Sequence, residues 1–370
     1  MKVTFEREKL LSAFQTVTPV VPSRSPKPIL QNIKLEVTKD TAYLMGTDLE
    51  IGIRVEVQGL KVDKAGSAIL PTGRFGSILR ESSDEKLELE TDEKGVAVRG
   101  DRSNFRLPGH DPQEFPAIVS FNETRYHQLP GRLLREIVRR TVFATDNESS
   151  RYALGGVLIE FGAKKIEAIG TDGRRMAVVE APAQAVGGHE TIDTPTIIPS
   201  RAMTIIERAM GDQDADVMIA ARGSDVLVKS PRATIYSRLV EGRFPRWRDV
   251  FPKRTEVQKI DFVVGPLLSA VRQAAIVTGD EQHGVNFTFG DGQLTLQAQA
   301  AEYGESRVQL PISYAGKQLA ITLDHRFLVD FLRVLDPEKS ITVELEDNDS
   351  AAVCSTDDGY RYVIMPLSRE

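Results

Sequence analysis

The sequence predicts an α+β protein built from three repeats of one antiparallel, helix-poor domain, and three observations predict it. A Gly-Thr-Asp triplet followed by apolar and charged alternation occurs at residues 46 to 57, GTDLEIGIRVEV, and returns 124 residues later at residues 170 to 181, GTDGRRMAVVEA. Helix-like segments recur at a similar spacing, with strand-like alternation between them and Gly, Asp and Asn at the turns. At 370 residues the chain also exceeds what one hydrophobic core usually organises, so two or three domains are expected.

The elements follow in order. REKLLSAFQTV from Arg7, GRLLREIVRRT from Gly131 and GPLLSAVRQAAI from Gly265 each carry paired leucines early, at Leu10-Leu11, Leu133-Leu134 and Leu267-Leu268, with apolar positions three or four residues on. A second set, TGRFGSILRE from Thr72, SRAMTIIERAM from Ser200 and HRFLVDFLRVL from His325, is led in by AILP, TIIP and AITLD, which read as strands ending at a helix cap. Arg74, Arg201 and Arg326 recur in the first turns of this second set, 127 and 125 residues apart. KLELETDEKGVAVRG, DVMIAARGSDVLVKS and GQLTLQAQAAEYGESRVQL read as antiparallel hairpins. Linkers opened by Phe115-Pro116 and Phe244-Pro245 place domains at 1–124, 125–253 and 254–370. The third lacks the Gly-Thr-Asp triplet and rests on its helices.

Composition narrows the function. With 41% hydrophobic and 27% charged residues and no low-complexity tract, the chain reads as folded. MKVTFEREKLLSAF has no uninterrupted apolar core, and no 18 apolar residues run without charge, so a cytoplasmic protein with no membrane partner is expected. Cys354 is the single cysteine, which excludes an internal disulfide and suits a reducing compartment.

The net charge of −6 argues at first sight against nucleic acid, but its distribution reverses the point. The six helix-like segments hold 13 basic and 5 acidic residues, net +8, which leaves −14 for the rest. Helices sharing one face would form a positive surface inside an acidic shell, attractive to a polyanion. No base-reading motif is present, so contacts to phosphate, independent of sequence and sensitive to salt, are expected. A domain of this size is roughly a sphere of 18 Å radius. Three in a ring leave a hole of only about 5 Å and six leave about 35 Å, against a duplex roughly 20 Å wide. Two chains could therefore encircle DNA where one could not.

MKVTFEREKLL, GTDLE, RYALGG, GTDGRRMAV, EGRFPRWRDVFP and YVIMPL, spread over essentially the whole chain, resemble the bacterial β sliding clamps, the processivity subunits of DNA polymerase III. The resemblance implies domains of two helices and two small sheets, a head-to-tail homodimer closing a ring of six domains, and no cofactor and no catalysis. Polymerase activity would reside in partner subunits. It implies contacts to double-stranded DNA at Arg24, Arg74, Tyr152, Arg201 and Arg326. A pocket for the replicative polymerase subunit, the clamp loader and other proteins bearing a clamp-binding motif would be formed by Arg151, Leu154, Thr171, Gly173, Arg174, Arg175, Met176, Pro245, Val250, Phe327, Val363, Ile364, Met365, Pro366 and Leu367. Ring closure would use Ile78, Arg102, Phe105, Arg106 and Leu107 against Ile276, Val277, Glu302 and Glu305, with opposite charges favouring head-to-tail pairing. Gly73 and Glu148 stand where relatives often have Arg and Gln, and Asp249 where they carry Arg, which bears on DNA grip and peptide preference.

Two other classes remain open on the residues alone. In a phosphate-handling enzyme TDGRR would cradle an anion, yet no P-loop, GxGxxG or GxSxG accompanies it, and His110, His127, His189, His283 and His325 are scattered. A repeat scaffold binding only proteins would not need basic helices.

Overall fold

Six times the chain runs straight from a β-strand into an α-helix. In the computed structural model the helices are α1 (Arg7–Val17), α2 (Thr72–Glu81), α3 (Gly131–Thr141), α4 (Ser200–Ala209), α5 (Val264–Ala274) and α6 (His325–Arg333), and each begins on the residue after a strand ends. The structure describes residues 1–367 except 147, 149–152, 192–193, 212–214, 252–256 and 280–281. The strand-to-helix switch suits the sequence. Proline closes the strands before α2, α3 and α4, where a missing N–H interrupts no helical bond, and Asp324 caps α6 by accepting from the Arg326 N–H at 3.0 Å.

Two compact units result. The first comprises Met1–Arg135, Phe161–Lys164 and Ala183–Val240, and the second Glu136–Glu160, Lys165–Pro182 and Glu241–Glu370. Three sequence repeats become two units because the strand Ala233–Arg238 pairs with Ile51–Val57, Ala233 opposite Val55, which fuses strands of the first and second repeats into one nine-stranded antiparallel sheet. The first unit also holds a five-stranded sheet in the order Leu60–Lys64, Lys2–Glu6, Lys86–Asp92, Gly95–Arg99, Asn104–Leu107. Its alternation is plain in KLELETD, whose Leu87 and Leu89 are buried between outward charges. Against these sheets α1 packs on α2 through Phe14 and Phe75, ring centroids 5.6 Å apart. Gly76 makes that approach possible, since a Cβ there would come within 2.9 Å of the Phe14 ring.

In the second unit, strands 156–161, 165–171, 175–182, 361–364, 352–355, 340–345 and 258–263 are neighbours in that order, and 304–311, 293–300, 284–290 and 319–324 form a separate four-stranded sheet. Phe331 of α6 stacks on Tyr362 at 4.8 Å and lies 5.2 Å from Tyr360, the Tyr362 hydroxyl donating to the Phe327 carbonyl. Cys354 is buried beside them, its thiol pushed up to about 12 by burial and so unreactive. Among the described residues no helix is long and apolar enough to cross a membrane.

The repeated triplet is one turn built twice. Gly46 and Gly170 close their strands beneath the end of the preceding helix: a Cβ on Gly46 would meet Val17 at 2.8 Å, and one on Gly170 would overlap the Thr141 carbonyl. Thr47 and Thr171 each accept from the N–H two residues on, at 3.0 and 3.1 Å, and donate to the carbonyl four residues on, at 2.8 and 2.7 Å. Asp48 and Asp172 each accept two further backbone N–H groups. The residue after the Asp takes positive φ, 81° at Leu49 and 88° at Gly173. Gly-Thr thus ends one strand, and Asp opens the turn that leads into the next.

A second buried device lies in the first unit. The neighbours assign both tautomers of a histidine pair: His127 Nε2–H donates to the Gly162 carbonyl at 2.7 Å, His189 Nδ1–H donates to His127 Nδ1 at 2.7 Å, and the Ala221 N–H donates to His189 Nε2 at 3.1 Å. Each ring is satisfied while neutral. Burial lowers both from the ordinary imidazole value, and the neighbouring His127 helps bring His189 to about 4.

Two predictions follow from these contacts. Gly170→Ala should cost about 3 kcal/mol because a backbone carbonyl cannot move aside, and Gly46→Ala about 1 kcal/mol because the Val17 side chain can, as measured by thermal melting. Folding favours neutral His127 and His189, so their contribution is complete above about pH 6.5 and is lost as pH falls toward 4. Hydrogen-exchange protection in strands 126–130 and 216–221, taken relative to the intrinsic amide rate at each pH, should fall over that window, and His189→Gln should flatten the dependence.

Candidate functional site

A cleft of about 430 Å³ opens in the second unit, lined by Leu154, Thr171, Gly173, Arg174, Arg175, Met176, Arg243, Pro245, Arg246, Trp247, Val250, Val363 and Met365. Four stretches far apart in sequence meet there, and two of them are joined directly: strand 175–182 pairs with strand 361–364, Met176 opposite Val363, and the Met365 N–H continues the ladder to the Arg174 carbonyl at 2.9 Å. The floor is apolar and covered: Leu154, Met176, Trp247 and Val363 are buried, whereas Val250 and Met365 are 40% and 43% exposed at the rim. This combination of apolar concavity and half-exposed edge is what a ligand with apolar side chains can fill.

Beneath the floor, Arg175 is the organising charge. Its guanidinium donates to Asp172 at 3.0 Å, to Asp330 of α6 at 2.7 Å and to the Phe143 carbonyl at 2.7 Å, and lies 4.5 Å from the Phe327 ring centre. Burial alone would weaken its charge, but Tyr362, Asp330 and Asp172 outweigh that and hold its pKa above the ordinary arginine value. Opposite it, Trp247 is fixed by a second network. Its indole N–H donates to Glu160 at 3.2 Å, and Arg248 lies 4.1 Å over the indole while bonding Glu160 at 2.6 Å and Glu167 at 3.0 Å. Burial opposes ionisation of Glu160, and Arg248 and Trp247 reverse that, holding the carboxyl below its usual range.

Ten residues expected at the pocket line this cleft: Leu154, Thr171, Gly173, Arg174, Arg175, Met176, Pro245, Val250, Val363 and Met365. Four do not. Phe327 lies one layer below, against Arg175; Ile364 alternates to the opposite strand face from Val363 and is buried; Leu367 runs on to the strand 319–324, its N–H donating to the Thr322 carbonyl at 2.9 Å; Pro366 is off the walls. Arg151 and Tyr152 lie outside the described residues. Arg243, Arg246 and Trp247 were missed, although Trp247 and Val250, three apart on the single 3-10 turn Trp247–Val250, face the same way.

The arginines expected at DNA differ in availability. Arg24 and Arg74 are exposed. Arg201 bonds the Asp48 carboxylate and the Pro19 carbonyl, and Arg326 grips Asp324 at 3.0 and 2.6 Å. Lys9, Arg80, Arg132, Arg139, Arg208, Arg272 and Arg333 on the helices are exposed as well, and α3 is the most basic of the six. Among the residues expected at ring closure, Ile276 is 77% exposed and Phe105 39% exposed, the latter beside Ile78 and Arg102 in a shallow cleft of the first unit. Leu107 is buried and belongs to the core, and Arg106 is bonded to Asp92 at 2.8 Å. Val277 is half-buried, and Glu302 and Glu305 are exposed.

Repeats of strand, helix and hairpin, with an apolar ligand-sized cleft in the second unit, describe the class of the fold. The chain belongs to the DNA polymerase III beta subunit family: models of its N-terminal, central and C-terminal domains match residues 1–119, 128–246 and 248–368. It is similar to the beta sliding clamps of Pseudomonas putida, 29% identical over 99% of this chain and 100% of that one, and of Chlamydia trachomatis, 28% identical over 99% and 87%. A crystal structure of a sliding clamp from Pseudomonas aeruginosa bound to griselimycin superposes with a TM-score of 0.92 at 26% identity, covering both chains fully. The protein is a processivity clamp of replication, accessory to a polymerase and not one itself.

The two faces of the cleft predict different costs. Arg175→Ala should destabilise the protein by about 3 kcal/mol by stranding Asp172 and Asp330, whereas Arg174→Ala should change stability by less than about 0.5 kcal/mol, both read by denaturant unfolding.

Proposed function

We propose that two copies of this chain close head to tail into a ring of six domains around duplex DNA in the cytoplasm, and that the cleft of the second unit holds peptide segments of the replicative polymerase subunit, the clamp loader and other clamp-binding proteins. The observation that carries the ring is a pair of unpaired sheet edges. Among the described residues, strand 104–107 ends the five-stranded sheet with Phe105 exposed and Arg102 beside it, Arg106 being paired with Asp92, and strand 304–311 ends the four-stranded sheet with Glu302 and Glu305 at its start. Edges of opposite charge pair with each other more readily than with themselves, which gives a closed head-to-tail dimer. Ile276, exposed on the turn after α5, supplies an apolar contact.

Exposed Arg and Lys on the helices, with Arg24 and Arg74, serve a phosphate backbone without reading bases, so the ring can move along the duplex. Arg201 and Arg326, whose charges are shared with Asp48 and Asp324, contribute less than Arg74. Peptides in the cleft keep a polymerase at high local concentration, and processivity rises through tethering without any chemistry by this chain.

Light scattering after size exclusion should give about twice 40.9 kDa, stable to dilution. Ile276→Asp together with Phe105→Asp should give a folded monomer that is no longer retained on circular duplex DNA. A wild-type monomer at micromolar concentration would exclude the ring.

A further inference from the structure

The turn 100–103 carries the chain from strand 95–99 into the edge strand 104–107, and it is held by one side chain outside it. Its own backbone closes it once, the Gly100 N–H donating to the Ser103 carbonyl at 2.9 Å. Among the described residues its other hydrogen bonds end on the Asp84 carboxylate: the Ser103 hydroxyl donates at 2.7 Å, the Asp101 N–H at 3.2 Å, and the Arg102 N–H to the same group. Ser82 adds its hydroxyl at 3.2 Å. These donors, Ser103 foremost, hold the carboxyl below the usual carboxylate range. Gly100 lets the carboxylate come this close, since a Cβ there would overlap it. Asp84 is itself fixed between α2 and strand 86–92. The Arg7 guanidinium donates to its carbonyl at 3.1 Å and to the Leu79 carbonyl at 3.0 Å, and the Arg7 N–H donates to the Glu85 carbonyl at 2.9 Å. The start of α1 and the end of α2 therefore anchor the carboxylate, and the carboxylate anchors the turn.

We propose that Asp84 is a positioning residue for ring closure: its carboxylate sets the turn 100–103 so that Arg102 and Phe105 are presented to a second copy of this chain. The inference rests on the reading of strand 104–107 as a ring-closing edge and adds the residue that shapes it. Among the described residues that strand pairs on one side only, with strand 95–99, Leu107 opposite Val96 and Asn104 opposite Arg99, so the turn before it decides how its free side is aimed. Ile78, Ser82, Asp84, Arg102, Ser103 and Phe105 line one shallow cleft, which places the bonds of Asp84 in its wall and Phe105, 39% exposed, at its side. A carboxylate suits the task because it only accepts, and four donors converge on it. Its charge works in the opposite direction. A negative group beside an edge that meets Glu302 and Glu305 repels them, so its place there is explained by shape and not by the field.

The test uses the full-length protein, with dimer dissociation followed as loss of energy transfer when mixed donor- and acceptor-labelled protomers are diluted. Asp84→Ala should raise the dissociation constant about tenfold and Ser103→Ala about threefold, while Asp84→Asn, which keeps the shape and an acceptor, should stay within about threefold of the wild type. Asp101→Ala removes the same charge from the same turn but keeps the bonded N–H, and should leave the ring as tight or tighter. Hydrogen exchange should show the Asp101 and Arg102 amides losing protection in Asp84→Ala while strands 86–92 and 95–99 keep theirs. An Asp84→Ala dimer as tight as the wild type, with those two amides released, overturns the role and leaves the ring standing. Protection lost throughout the five-stranded sheet, with Ser103→Ala dimerising normally, also overturns it, since Asp84 would then serve the fold alone. Asp84→Asn no better than Asp84→Ala, or Asp101→Ala weakening the ring equally, overturns it in favour of a charge effect. A wild-type chain that is monomeric at micromolar concentration overturns the ring, and this role with it.

Discussion

A buried guanidinium holds the second unit together. Arg175 joins the turn at Asp172, the helix α6 at Asp330 and the chain after α3 at the Phe143 carbonyl, and its planar face lies near the rings of Phe143 and Phe327. The terminal strand 361–364 is laid against the same residue by backbone pairing. Because an unpaired buried charge is far more costly than a paired one, these elements are mutually dependent, and the cleft floor of Met176 and Val363 is positioned as a by-product of keeping Arg175 satisfied.

The same turn serves different ends in its two copies. Both Gly-Thr-Asp turns make the same set of hydrogen bonds, and both tuck glycine under a helix end. In the first copy Leu49 occupies the left-handed position despite its side chain. In the second, glycine occupies it without strain, no Cβ obstructs the cleft mouth, and the following Arg174 and Arg175 divide between rim and interior. Similarly, the recurring first-turn arginines are not equivalent: the side chain of Asp324, which caps α6, also takes the charge of Arg326, whereas Pro71 before α2 offers Arg74 no such partner. A basic residue count therefore overstates the field that a polyanion meets.

Much of the fold was legible. Five of the six helix starts fall on the expected residues and α5 begins one earlier, because each follows a strand whose alternation stops abruptly. The hairpins at 86–99, 216–229 and 293–311 follow their alternation and turn residues. Ten of the residues named by motif resemblance come together on the cleft walls, since short motifs keep side chains adjacent to one another. Phe327, Ile364, Pro366 and Leu367 lie off its walls because a motif names a segment and not the direction of each side chain, which strand alternation and the layer below Arg175 decide. The histidine pair was read as scattered because 62 residues separate two rings that only sheet pairing brings together.

By itself the sequence determined the element types, the threefold repeat, the sign of charge on the helices and the residues of the turn, all of which depend on periodicity or on contacts a few residues apart. The tertiary structure alone decided that three repeats become two compact units, that Arg175 is buried while Arg174 faces the rim, and that Trp247 is locked by Glu160 and Arg248. The physical reason is that burial and ion pairing are set by which distant strands become neighbours, and local pattern does not carry that register.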